Sequence, residues 1–444
     1  MVEWETIRSM MNTKSQLLMA FTPFMLSAVE ERADPGSLNF ATVGPLRVTR
    51  LTHLASQQPG GRELVMGIPQ TQEGRFSKSW NCLPMVSAST VGIETDENRY
   101  KKGVRHLCDS GITSIPSKYV LPFADRPRER DGRTQGMKMK LPVIDFAEFY
   151  TCKRSIALES LAKACEEYGF FQVINHGISD DVVRSMIDAS RCFFELPFDE
   201  RAKYMSNDMS APVRYGTSWN QNKDGVFCWR DFLKLNCPPL PEVFPQWPSS
   251  PREFRQNAIA YAKETRSLFV KLAGAILESL GLVEDETILK EFENGSQLMV
   301  LNCYPCCPEP DLTLGMPPHT DYGFLTVLLQ DSVQGLQIQS KGAWVTVEPL
   351  PNSFVINVGD HLEVFSNGRY KSVLHRVLVN PAKSRISVAS LHSLPYSSVI
   401  SPSTALINEE NPRRYKDTDF PTFLKYITAG KDRTKSFLDC IKLS

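Results

Sequence analysis

The stretch His319-Thr-Asp-Tyr-Gly-Phe-Leu-Thr-Val-Leu-Leu-Gln330 decides how this chain is read. It sets a histidine two residues before a carboxylate and then runs into an apolar, β-prone segment over Phe324–Leu329. In extended backbone a spacing of two turns both side chains to one face. Outward from it, similar short runs recur at Leu298–Tyr304, Leu336–Gln339, Trp344–Val347, Phe354–Val358, His375–Val379 and Ile386–Leu391. Lys341-Gly342 joins two of them as a hairpin turn. Strands of this length, about ten residues apart with turns between them, predict an all-β sandwich or barrel from Ser296 onward.

Upstream the period changes. Ile156, Leu158, Leu161, Cys165 and Tyr168 recur at helical spacing, so a helix is predicted over Ser155–Tyr168, ended by Gly169. Phe170–Ile174 then reads as a strand, Asp180–Glu195 as a second helix, and Pro251–Leu280 as a long third helix stopped by Gly281. Leu141–Phe146 is a short strand candidate, and a final helix over Phe420–Ile427 is placed to pack at the barrel mouth. Three regions follow: 1–102, a poorly patterned extension expected to be disordered; 103–250, helical; and 251–444, the β core with its C-terminal helix. The extension lacks a basic start for a signal peptide, since Glu3 and Glu5 stand there, and Glu30, Glu31 and Asp34 count against a transit peptide. Its apolar run Leu17–Val29 is too short to span a bilayer and contains Pro23.

Composition narrows the function classes. In the 444 residues, 50 Lys plus Arg balance 50 Asp plus Glu, which excludes a polyanion partner built on surplus basic charge. With 42% hydrophobic and 23% charged residues the composition is globular. The eleven cysteines are scattered in no disulfide framework, as in a reduced cytoplasmic protein. Cys303 and Cys306 have CxxC spacing but no second pair to complete a zinc site. A small-molecule substrate is expected, with no nucleic acid and no membrane; oligomeric state is not legible, and a monomer is the working expectation.

Of the seven histidines, His319 and His375 stand in informative company. His375 follows Asp321 by 54 residues (375 − 321) at the start of a later strand, where antiparallel folding can bring it alongside. Two histidines and a carboxylate on one face of a metal form the facial triad of non-haem Fe(II) oxygenases, which leaves open positions for other ligands. Arg385 and Ser387 share a strand face and suit a carboxylate. Asn302 and Tyr304 add two polar groups on the strand before the His319 loop. Taken singly, each would be a surface cation or a core residue; their occurrence together and in this order is what carries the reading.

From about Gly103 to the C-terminus the chain resembles the plant 2-oxoglutarate- and Fe(II)-dependent dioxygenases. The stretches that carry the resemblance are Tyr168-Gly-Phe-Phe-Gln-Val-Ile-Asn-His-Gly177, His319–Gln330, Ser366-Asn-Gly-Arg-Tyr-Lys-Ser-Val-Leu-His-Arg376 and Arg385-Ile-Ser387. The resemblance implies an α+β fold, a double-stranded β-helix (jelly roll) core with surrounding helices. It implies His319, Asp321 and His375 as iron ligands, Arg385 and Ser387 as the anchor of the distal 2-oxoglutarate carboxylate, and Tyr304, with Asn302 beside it, as further co-substrate contacts. Fe(II), 2-oxoglutarate and O2 are the implied cofactors, with ascorbate as an accessory reductant. His176 matches a family feature that is not a ligand, and His361 and His392 read as structural or outside the ligand set.

Arg214-Tyr-Gly-Thr-Ser218, Trp229-Arg-Asp-Phe-Leu-Lys234 and Pro349-Leu-Pro-Asn-Ser353 resemble a subgroup holding flavanone 3-hydroxylase-like and downy-mildew-resistance-like oxygenases. Hydroxylation or desaturation of a flavonoid or other phenolic, with release of succinate and CO2, is the implied activity. A terpenoid hormone substrate, a catalytically silent jelly-roll binder and a zinc-dependent cupin-like isomerase stay open as alternatives. Aromatic residues between Tyr215 and Trp229 are expected along a flat pocket. Leu391 stands where relatives often carry an aromatic residue.

Overall fold

The structure, a computed structural model, describes residues 100–127, 138–219, 221, 224–237, 240–282, 286–428 and 436–443. The expected disordered extension, apart from its last few residues, lies outside them, as does the run Leu17–Val29. Among the described residues, thirteen strands are arranged in two sheets. The first five are β1 Lys138–Met139, β2 Val143–Asp145, β3 Phe170–Ile174, β4 Val213–Thr217 and β5 Asp231–Asn236. Then come β6 Ser296–Tyr304, β7 Met316–His319, β8 Leu325–Gln330, β9 Leu336–Ser340 and β10 Ala343–Val347. The last are β11 Phe354–Val358, β12 His375–Val377 and β13 Arg385–Ser393.

Eight strands run in the order β2-β3-β11-β8-β13-β6-β5-β4 and five in the order β1-β10-β9-β12-β7. Leu336, Ile338 and Val347 of the smaller sheet share a buried cluster with Phe170 and Val355 of the larger one. The two sheets make the jelly roll, and the helices flank it. Helix α1 is Val104–Asp109, α2 Arg154–Glu167, α3 Asp180–Glu195, α4 Phe198–Ala202, α5 Phe254–Ser279 and α6 Glu286–Glu293. Three more follow: α7 Asp360–Phe365, α8 Phe420–Thr428 and α9 Phe437–Ile441. The 26-residue α5 packs on α2 and α3, and its Leu268, Phe269, Leu272 and Ile276 enter the main core. Among the described residues no helix is long and apolar enough to cross a membrane.

The predicted helices over 155–168, 180–195 and 251–280 appear within a few residues of their expected bounds. Strands β4, β5 and β7 were not anticipated. Charged Arg214, Asp231 and Lys234 interrupt the apolar pattern of the first two, and two prolines sit in the third. Both β4 and β5 nevertheless extend the eight-stranded sheet, with β5 antiparallel to β6 from Asp231↔Cys303 to Asn236↔Leu298.

Asp231 explains why a charge can open a buried strand. It is fully buried and accepts from the Val104 and Arg105 amides at 2.8 and 2.9 Å and from the Tyr215 hydroxyl at 3.2 Å. The Arg201 guanidinium stands 3.7 Å away. Asp231 therefore caps α1 and neutralises a buried arginine. Gly103, at φ 96°, makes this approach possible, because a Cβ there would lie 2.6 Å from an Asp231 oxygen. Asp231→Ala is expected to destabilise the fold by about 3 kcal/mol, since it leaves a buried cation with only the half-exposed Asp109 carboxylate, 3.9 Å away. A lowered urea midpoint at unchanged slope checks this; an unmoved midpoint contradicts the capping role.

Candidate functional site

Strand pairing brings the separated residues together. β12 lies antiparallel to β7 with His375 opposite His319, and their rings are 4.1 Å apart. Asp321 follows directly, with Oδ1 3.7 Å from each Nε2. The three donor atoms lie within 4.8 Å of one another, the one such cluster of His, Cys, Asp or Glu groups among the described residues.

The surroundings fix how each group presents itself. His319 Nδ1 is 2.8 Å from the Pro317 carbonyl and His375 Nδ1 3.2 Å from that of Val373. A carbonyl only accepts, so the proton belongs on each Nδ1 and the Nε2 lone pairs are left for a metal. Burial, with His375 beside it, holds His319 well below the usual histidine range, so it is neutral as a ligand must be. Asp321 Oδ2 accepts from Thr326 Oγ1 at 2.6 Å and Asn357 Nδ2 at 2.9 Å. Burial pushes its carboxyl up, but the two histidines and these two donors outweigh that and keep it ionised. Oδ1 stays directed at the histidines. Two imidazoles and one carboxylate on one side of a point fit a divalent iron.

The β13–β6 ladder builds the second half, with Arg385 opposite Tyr304 and Ser387 opposite Asn302. Arg385 is 2% exposed and donates to Gln330 Oε1 at 2.8 Å and Ser387 Oγ at 3.3 Å; its guanidinium lies 5.3 Å from the Tyr304 ring centroid. Its Nε is buried without a partner. A buried guanidinium with an unmet donor fits an absent carboxylate, and 2-oxoglutarate carries one at each end. Asn302 is less free than expected, because Arg230 Nη1 donates to its Oδ1 at 3.2 Å and its Nδ2 donates to the Val300 carbonyl.

All seven predicted site residues line one cavity of about 430 Å³, a size suited to small ligands. Alternate residues of β6 and β13 face it, as the strand period of two requires. Phe420, Phe423, Leu424 and Ile427 of α8 close one side at i, i+3, i+4, i+7, where the final helix was expected. The expectation for aromatic residues between Tyr215 and Trp229 needs correction. Trp219 lines the cavity and meets His319 edge-on at 5.6 Å. Tyr215 is instead tied to Arg201 and Asp231, and Phe227 and Trp229 pack on Tyr119 in a separate cluster. Phe232, with Phe170, Tyr322 and Tyr396, is among the lining aromatic residues that were missed.

Also missed were Thr326 and Asn357, which hold Asp321, and Gln330, which holds Arg385. Asn357 left a signal, as the lone polar residue in the wholly buried strand Phe354–Val358. His176 takes a structural place, with Nδ1 accepting from the Ile178 amide and the ring against Phe354. His361 pairs with Ser393, and His392 stacks on Phe269 and pairs with Ser390.

Sequence comparison matches residues 295–393 to the 2OG-Fe(II) oxygenase superfamily and residues 141–251 to the non-haem dioxygenase in morphine synthesis N-terminal family. Protein DMR6-LIKE OXYGENASE 2 of Arabidopsis thaliana is 40% identical over 337 residues, 76% of this chain and 96% of that protein. Flavanone 3-dioxygenase 3 of Oryza sativa subsp. japonica is 42% identical, covering 65% of this chain and 88% of that protein. Among solved structures, JOX2 in complex with 2OG, Fe and JA superposes with a TM-score of 0.69 at 31% identity, over 77% of this chain and 98% of that one.

Proposed function

This chain belongs to the plant 2-oxoglutarate- and Fe(II)-dependent dioxygenases, and from that premise we propose that it hydroxylates a small phenolic metabolite of flavonoid type. In this reading His319, Asp321 and His375 hold the iron, and Arg385 with Ser387 holds the distal carboxylate of 2-oxoglutarate. The observation that carries it is the shared cavity: the three-donor cluster and the Arg385 guanidinium line the same space. Iron and 2-oxoglutarate, when bound, supply the O2 activation, with succinate and CO2 as co-products.

The chain's own residues do the rest. Thr326 and Asn357 hold Asp321 so that one oxygen stays turned toward the histidines. Gln330 orients Arg385, and the Tyr304 ring, 5.3 Å from that guanidinium, lines the cavity beside it. Trp219 and Phe232 bound a space suited to a flat ring, and α8 limits water on the far side. The flavonoid assignment draws support from the flavanone 3-dioxygenase relatives.

Succinate release from the full chain with Fe(II), 2-oxoglutarate and candidate substrates tests the proposal. Flavanones or simple phenolics are expected to raise release above the substrate-free rate and to yield hydroxylated product. Stimulation by gibberellin-like acids alone would overturn the phenolic assignment. We infer the cytoplasm as its compartment from the eleven scattered cysteines, which follow no disulfide framework. One rice relative is named chloroplastic, and imaging a fluorescent fusion of the full chain decides between them.

A further inference from the structure

The start of α7 clasps the turn that follows Asp321. Gly359, Asp360 and His361 donate their amides to the carbonyls of Phe324, Asp321 and Gly323 at 3.0, 2.9 and 2.8 Å. A Cβ at Gly359 would collide with the Gly323 carbonyl oxygen, so the approach needs glycine.

The Asp360 side chain makes a further link that the backbone does not. Its Oδ2 accepts from Thr320 Oγ1 at 3.2 Å, and its Oδ1 accepts from Ser372 Oγ at 2.7 Å. Thr320 stands between His319 and Asp321 in the chain. Ser372 lies in the loop 366–374 that leads from α7 to β12, and the next residue, Val373, offers the carbonyl that faces His375 Nδ1. One carboxylate therefore joins the segment carrying two of the proposed ligands to the segment carrying the third. Glu363, one turn further along α7, secures the same place. Its Oε2 accepts from the Ser372 amide at 2.7 Å and its Oε1 from the Tyr415 hydroxyl at 2.6 Å.

Asp360 is poorly placed for stability alone. It is 1% exposed, its side-chain partners are two neutral hydroxyls, and the charged groups that act on it are the carboxylates of Glu363 and Asp321. A buried charge beside like charges, with no counter-ion, is unfavourable, and a neutral residue of the same shape would fold at least as well. A position that breaks this rule inside a packed core answers a demand other than folding.

We propose that Asp360 is a positioning residue of the metal site. By bridging Thr320 and Ser372 it holds the His319–Asp321 segment and the approach to His375 at the spacing that lets one ion engage all three ligands. The inference rests on reading that triad as the iron site. What the site requires of Asp360 is the pair of hydrogen bonds, which spares the ion the entropy of ordering the loop ahead of His375, and the charge is incidental.

Anaerobic calorimetric titration of the full chain with Fe(II), together with the melting temperature of the metal-free chain, tests this. Asp360→Ala removes both arms of the bridge and is expected to weaken Fe(II) binding at least about tenfold, the lower end of what losing a ligand's partner costs. Ser372→Ala removes only the arm toward His375 and is expected to weaken binding by a comparable factor, with little further loss when the two are combined, because both break one bridge. Asp360→Asn removes the charge but leaves two groups for hydroxyls that can turn to donate or accept. It is expected to recover most of the affinity that Asp360→Ala loses and to melt no lower than the native chain. Native affinity in Ser372→Ala overturns the proposal, whether or not Asp360→Ala folds, and so does an Asp360→Asn chain that binds as weakly as Asp360→Ala. A lowered melting temperature with native Fe(II) affinity is the mark of a purely structural role and overturns it too. Should the native chain itself bind no Fe(II), the reading of the triad as a metal site fails instead.

Discussion

Asp321→Asn is expected to lower Fe(II) affinity by more than about 100-fold and to remove substrate-dependent succinate release with it, because the loss of a ligand exceeds the 10–100-fold typical of losing a ligand's partner. The side chains are nearly isosteric, so the effect is chemical. In the native site Asp321 Oδ2 accepts from Thr326 and Asn357 while Oδ1 faces both histidines. An amide can satisfy those two donors only with its oxygen, which turns its NH2 group toward the metal position. Turning it the other way sets NH2 against the Asn357 amide donor, so that only the Thr326 hydroxyl can adapt, by accepting, and the hydrogen bond from Asn357 is lost. Either orientation defeats the proposed ligand set. Titration with Fe(II) under anaerobic conditions measures the affinity directly, and a variant that binds iron as tightly as the native chain would sink the assignment. Asn357→Ala is the graded companion, expected to weaken the metal by about 10–100-fold.

The parts of this site that were legible in the sequence are those a strand's period of two can report. Asp321 follows His319 by two residues, and so does Ser387 follow Arg385 and Tyr304 follow Asn302; each pair does share the cavity. His375 was legible only through the resemblance and its place at a strand start. Nothing local shows that it pairs with His319 rather than another strand, because register is set by the whole sheet. Thr326, Asn357 and Gln330 had no such spacing to a catalytic residue. Their roles depend on which strands neighbour one another, as Asn357 reaches Asp321 across β11 and β8.

The edge of the large sheet was illegible for a different reason. Sequence patterning expects apolar residues inward, whereas β4 and β5 turn Arg214 and Lys234 into a cavity and bury Asp231 against α1 and Arg201. Functional cavities invert the apolar-in rule, so the strands that carry them read as loops. The same inversion misplaced the aromatic lining. Tyr215 and Trp229 belong to packed clusters, and Phe232, which follows a charge, was passed over.

Arg385→Lys is expected to raise the KM for 2-oxoglutarate by about 100-fold, as two charge-assisted hydrogen bonds of roughly 1.5–3 kcal/mol are replaced by a single point contact. The shorter reach and single ammonium cannot hold Gln330 and a carboxylate at once. Packing against Tyr304 at 5.3 Å also depends on a planar cation. Fe(II) affinity in the absence of 2-oxoglutarate should be unaffected, because no hydrogen bond links Arg385 to the His319, Asp321 and His375 group. That split is the discriminating feature. A zinc-dependent isomerase of similar fold has no use for 2-oxoglutarate, and a silent binder would release no succinate for the substitution to diminish. A KM equal to that of the native chain would mean that the Arg385 guanidinium serves something other than the co-substrate. Arg214, Arg230 and Lys234, which line the same cavity, would then be the next candidates to hold the 2-oxoglutarate carboxylate.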